Sequence, residues 1–96
     1  MTAYLIANVD VHDRDAYQDY RSRTGAIVER HGGRFIVRGG NVHHLEGEPW
    51  AKRLVIIQFP DLASAQGFYD SPEYQEIIPL RTRVSDGALL IVEGAD

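Results

Sequence analysis

The segment Arg53 to Phe59 (Arg-Leu-Val-Ile-Ile-Gln-Phe) is apolar at nearly every position, and so is Ala88 to Val92. Successive side chains of a strand point to opposite faces. A strand covered on one face and wetted on the other therefore alternates apolar and polar residues, and these two do not. Tyr4 to Val11 shows the same excess: Leu5, Ala7, Val9 and Val11 occupy one parity, while Tyr4 and Ile6 join Asn8 and Asp10 on the other. Whatever sheet these strands build must bury both faces.

Helical rhythm separates the strands. Ala16, Tyr17, Tyr20, Thr24, Ile27, Val28 and His31 recur at steps of three and four, the stripe of an amphipathic helix. Asp13 is positioned to cap its first turn, and Gly32-Gly33 to end it. Arg34 to Arg38 forms a second strand, broken by Gly39-Gly40, with Asn41 to Leu45 resuming extended structure before the turn at Gly47 and Pro49. After the third strand, Arg53 to Phe59, Pro60-Asp61 opens a helix bearing Leu62, Ala65, Phe68 and Tyr69. Ser71-Pro72 starts another, with a cap followed by proline at the first helical position. Pro79 either kinks this helix or begins a new turn. Asp86-Gly87 then turns the chain into the last strand.

The order is β-α-β-β-α-β. An internal echo at an offset of 48 places Val9 on Ile57, Val11 on Phe59, Asp13 on Asp61, Gln18 on Gln66 and Tyr20 on Phe68. Two βαβ halves of similar length predict an α+β, ferredoxin-like fold with a four-stranded antiparallel sheet and both helical segments on one face. The echo assigns Ala7, Val9, Val11, Val55, Ile57 and Phe59 to the helix face. Tyr4, Ile6, Leu54 and Ile56 are left on the other, where a second copy packing sheet to sheet would cover them. Asn8 and Gln58 fall on this second face and need partners, either across such an interface or in ordered water.

A chain of 96 residues has room for one domain, residues 1–96. Its net charge of −4 argues against a nucleic-acid partner. No apolar run is long enough for a membrane span, and no leader pattern precedes Tyr4, so a cytoplasmic protein is expected. With no cysteine there is no thiol nucleophile, disulfide or thiolate metal site. Phosphate-loop, dinucleotide and serine-elbow motifs are missing too, and no cofactor is expected.

The stretches Gly32 to Gly40 (GGRFIVRGG) and Phe59 to Gln75 (FPDLASAQGFYDSPEYQ), together with Arg81, resemble the bacterial family called domain of unknown function 1330. The resemblance covers nearly the whole chain. It implies membership of the dimeric α/β-barrel superfamily, in which two ferredoxin-like subunits join their sheets into a barrel. That superfamily includes cofactor-independent monooxygenases, lactone isomerases, haem-degrading enzymes and ligand binders, so the resemblance leaves the reaction open.

Arg38 falls on the face opposite Phe35 and Val37. Its guanidinium suits a bidentate pair with a carboxylate or phenolate, or a structural ion pair with a glutamate such as Glu46. Tyr17, Tyr20, Tyr69 and Tyr74 offer apolar bodies with polar tips. They serve either as core-edge residues or as the wall of a cleft, and Tyr17, Tyr69 and Tyr74 are the candidate substrate-binding rings. His43 and His44, neighbours on the expected strand, point apart and cannot share a metal; His44 with Glu46 is better spaced but lacks further ligands. His43 is the candidate proton acceptor. Trp50 anchors a loop or an interface edge.

These readings converge on a homodimer with a small aromatic-lined pocket per subunit, binding an organic acid or phenolic compound. Three outcomes remain open: a cofactor-free oxidation or isomerisation, non-catalytic ligand binding, and a solid interaction module without a cavity.

Overall fold

The computed structural model describes all 96 residues. The chain runs β1 (Ala3–Val11), α1 (Arg14–Arg30), β2 (Arg34–Arg38), β3 (Arg53–Phe59), α2 (Leu62–Asp70), α3 (Pro72–Thr82) and β4 (Ser85–Glu93). The strands form one antiparallel sheet in the order β2-β3-β1-β4. This is the ferredoxin-like arrangement, with the second helical segment divided at Ser71.

Each boundary has a local cause. The Asp13 and Asp61 carboxylates accept the amides of Ala16 and Ser64 at 3.1 and 2.7 Å, so the two residues matched by the internal echo are both helix caps. Gly32 ends α1 at φ 78°, a left-handed conformation that favours glycine. Ser71 does two jobs. Its hydroxyl donates to the Phe68 carbonyl at 2.8 Å and accepts the Tyr74 amide at 3.2 Å, so the close of α2 and the start of α3 share one side chain. Pro79 lies within α3, which continues to Thr82.

Burial follows the parity read from the strands. Ala3, Leu5, Ala7 and Val9 of β1, and Val55, Ile57 and Phe59 of β3, are buried beneath the helices with Tyr20, Ile27, Val28, Phe68 and Tyr74. The opposite face carries no layer of its own, and the molecule is a slab of 32 × 32 × 16 Å. Tyr4 pairs with Val92, and Ile6 lies between Ile56 and Leu90 on this face. Leu90 and Val92 are 54% and 45% exposed.

Four local expectations change. The last strand begins at Ser85, because Asp86 and Gly87 pair with Asp10 and Val9 as part of the ladder. A side chain at position 87 would collide with the Asn8 carbonyl, so glycine here serves close backbone approach within the strand. Residues 41–45 are irregular rather than extended. The second-face amides find partners in their own chain: Asn8 donates to the Trp50 carbonyl at 3.1 Å and accepts the Lys52 amide at 2.8 Å, while Gln58 accepts from Arg34 at 3.2 Å. Finally, β2 is bulged. Phe35 pairs with Ile57, but Val37 pairs with Ile56 and Arg38 with Val55. The extra residue reverses the parity downstream, so Arg38 shares the helix-side face with Phe35 instead of opposing it.

Candidate functional site

The bulge brings Arg38 to a cleft between α1, α3 and the sheet. Leu5, Ala7, Val9, Val55, Ile57 and Leu89 form its floor, and Phe35 and Phe68 close its sides. Tyr17, Tyr20 and Thr24 descend from α1 and Tyr74 from α3. The cavity is narrow, about 30 Å³, enough for a water or a carboxylate-sized group but not for a ring.

Its charge is distinctive. Arg21, Arg38, Arg53 and Arg81 all line the cleft, and no acidic residue does. None of these arginines belongs to the chain's ion pairs, which are His12–Asp86, Arg23–Asp19 and Arg30–Glu73. The expected alternative partner of Arg38, Glu46, lies on the exposed loop between β2 and β3. Arg38 instead donates to the Arg21 carbonyl at 3.1 Å and stacks over Phe35 at 3.9 Å. Its pKa is lowered by desolvation first, then by the like charges of Arg21 and Arg53.

The tyrosines form a connected wall. The Tyr20 and Tyr74 hydroxyls meet at 2.6 Å, both rings buried. Tyr17 packs against Tyr20 with centroids 5.4 Å apart, and its hydroxyl accepts a long bond of 3.4 Å from Arg53. Burial is the largest cause of the raised pKa of Tyr17, Tyr20 and Tyr74. All three are therefore neutral phenols at physiological pH and can donate to an anion.

Arg81 sits at the buried end of this wall. It is 8% exposed, its guanidinium lies 5.8 Å from the Tyr20 ring, and its Nε has no hydrogen-bond partner. At the other end, Tyr17, Arg21 and Arg53 also border an open groove of about 660 Å³, lined further by Asp10, Arg14, Gln18, Lys52 and the Gly39–Val42 backbone segment. Cleft and groove together hold Arg14, Arg21, Arg38, Lys52, Arg53 and Arg81, six of the chain's ten basic residues. Asp10 is the one carboxylate in either, out of fourteen in the chain. An acidic protein has gathered most of its positive charge around one opening.

The structure thus brings Arg38, Tyr17 and Tyr74 to one cavity. Tyr69 packs behind Tyr74, 5.8 Å between centroids, and does not line the cleft. His43 is exposed on the irregular loop, one residue beyond the Val42 that borders the groove. His44 accepts the Ala51 amide at 3.2 Å and meets Trp50 edge-on, so Trp50 does anchor the loop through its carbonyl and ring. No group of three or more metal-ligating side chains stands close enough to hold an ion.

Arg21, Arg53 and Arg81 carry a signal that the sequence reading passed over. Each is an arginine at an apolar-stripe position. Arg21 belongs to the series 17, 20, 21, 24, Arg81 to the series 74, 77, 78, 81, and Arg53 has the parity of Val55, Ile57 and Phe59.

Residues 2–95 match the family described as domain of unknown function (DUF1330). The chain belongs to that family. No curated protein gives a significant match. Among solved structures, it is similar to a protein of unknown function from Rhodopseudomonas palustris, at 20% identity and a TM-score of 0.76, over 99% of this chain and 83% of that one. It is also similar to SnoaB, a cofactor-independent oxygenase from Streptomyces nogalater, at 14% identity and a TM-score of 0.66, over 99% and 94% of the two chains. A dimeric ferredoxin-like protein of unknown function from Jannaschia sp. CCS1 aligns over 98% of this chain and all of its own, at 13% identity and a TM-score of 0.63. At such identities the likeness is one of fold. No helix of this DUF1330 chain is long and apolar enough to cross a membrane.

Proposed function

We propose that this protein is a homodimer that binds a small organic acid or phenolic compound, with the anionic group in the arginine-lined cleft of each subunit and the body of the ligand in the adjoining groove. The observation carrying the reading is the set of four arginines around a tyrosine wall with no carboxylate to neutralise them. Clustered like charges repel, so an anion bound among them offsets that repulsion. Arg38 and Arg53 hold the anionic group by charge-assisted bonds. Tyr17 supports the body of the ligand from the groove side, and Tyr74 acts through its hydroxyl pair with Tyr20. Support for the homodimer comes from the uncovered sheet face bearing Ile6, Leu54, Ile56, Leu90 and Val92, which a second sheet would cover, and from the dimeric state of the Jannaschia protein of the same fold. The cytoplasm is the proposed location.

Catalysis is a second reading, favoured by the fold shared with SnoaB. Arginines around a bound phenol or enol stabilise its anion and lower its pKa, which is the step such a site can promote without a cofactor. His43, at the rim of the groove, is the proposed proton acceptor. The test is calorimetric titration with a panel of carboxylates and phenols, followed by Arg38→Ala and His43→Ala on any ligand that binds. Binding lost in Arg38→Ala supports the assignment. A panel in which nothing binds removes it, and turnover unaffected by His43→Ala removes the role of that residue.

A further inference from the structure

Arg81 has no task in the site as proposed. It is more than nine-tenths buried, its Nε donates to nothing, and no carboxylate pairs with it. Buried polar groups are normally satisfied, and a buried charge is normally paired. Its guanidinium lies 5.8 Å from the Tyr20 ring and does not reach the outer groove, whereas Arg53 lies 5.4 Å from the Tyr17 ring and borders cleft and groove alike. The positive charge is therefore spread along a path: Arg81 and Arg38 on the cleft alone, Arg21 and Arg53 on cleft and groove, and Arg14 and Lys52 on the groove alone. The two compartments differ in size, about 30 Å³ inside against about 660 Å³ outside. The inner one admits only the tip of a molecule. A single carboxylate held where cleft and groove meet would leave both ends of the path unmet.

We infer that the ligand is a slender acid with two anionic ends, one carboxylate held in the cleft by Arg81 together with Arg38 and Arg53 and the other held in the groove by Arg14 and Lys52. This rests on the cleft being an anion site and adds which anion. A ring or a branch next to the inner carboxylate is excluded by the narrowness of the cleft. Thr24, whose hydroxyl is committed to the Tyr20 carbonyl at 2.7 Å, leaves these arginines and the neutral tyrosines as the inner donors.

The experiment is isothermal titration of the intact protein with glutarate, adipate and pimelate against butyrate, hexanoate and benzoate. At least one dicarboxylate should bind tenfold or more tightly than the monocarboxylate of similar length. Arg81→Gln should bring it down to the monocarboxylate level, and Lys52→Ala should do so from the other end. Circular dichroism checks the fold of each variant; should Arg81→Gln not fold, Arg81→Met, which removes the charge and keeps a long unbranched side chain, takes its place. Equal binding of mono- and dicarboxylates by the wild-type protein overturns the inference while leaving the anion site standing. A dicarboxylate preference that survives in the folded Arg81 variant overturns it as well. Absence of binding by every acid removes the underlying reading too.

Discussion

The guanidinium of Arg38 lies 3.9 Å above the ring of Phe35, three residues earlier in the same strand. In a regular strand, residues an odd number apart point to opposite faces. They meet because β2 accommodates an extra residue between its pairings to Ile57 and Ile56. The bulge, more than the arginine itself, puts positive charge over the cleft. Arg38 makes no ion pair, so the Arg38→Ala protein should keep its stability to within about 0.5 kcal/mol. It should also lose at least about tenfold in carboxylate affinity, since a charge-assisted bond contributes about 1.5–3 kcal/mol. Thermal melts and calorimetry report the two quantities separately.

Tyr20 and Tyr74 depend on each other for their buried hydroxyl bond at 2.6 Å. Replacing either by phenylalanine strands the other hydroxyl and should cost about 1–2 kcal/mol. Replacing both removes the stranded partner, so the double variant should cost about 1 kcal/mol less than the two single losses combined. Urea unfolding of the four proteins closes this cycle, and strict additivity would show that the hydroxyls are not coupled.

Alkaline pH tests the same wall. Burial raises the pKa of Tyr17, Tyr20 and Tyr74 above the ordinary 10.0. The unfolded chain ionises these phenols first, so it releases protons that the folded state retains. The stability they contribute is whole below pH 10 and declines as pH climbs beyond it. Unfolding free energy measured from pH 8 upward should be level at first and then drop. Phenolate absorbance from these three rings should rise together with unfolding. Ionisation of all five tyrosines in the folded protein near pH 10 would contradict their burial.

The open sheet face gives a direct test of assembly. Leu90, 54% exposed and paired with Ile6, sits within the apolar patch. Leu90→Glu places a charge where a partner sheet would have to desolvate it, and should weaken association by about 2 kcal/mol or more. Sedimentation velocity should show a dimer for the wild-type chain and a monomer for the variant. A wild-type monomer at high concentration would remove the dimer from the proposal.

Ser71 joins two helices through one hydroxyl. Ser71→Ala should destabilise the protein by about 1–2 kcal/mol, since it takes away the cap of α3 and the partner of the Phe68 carbonyl together. Hydrogen exchange should show the loss concentrated at the amides of Tyr74 and its neighbours.

The linear order of residues was enough for the element sequence, the caps Asp13 and Ser71, and the helix-facing parity of β1 and β3, because each depends on neighbours within a turn or on a simple period. The uncovered second face was legible for the same reason. Arg38 was found as a residue and misplaced as a direction: a bulge is a property of pairing, and nothing within Arg34 to Arg38 announces that β3 will leave one of its residues over. The start of β4 was set late for a similar reason, since Asp86-Gly87 has the look of a turn until its ladder with Val9 and Asp10 is formed. The convergence of Arg21, Arg53 and Arg81 on one cleft required the fold. They come from a helix, a strand and another helix, and their shared field exists only once packing has brought those elements together and kept every glutamate outside.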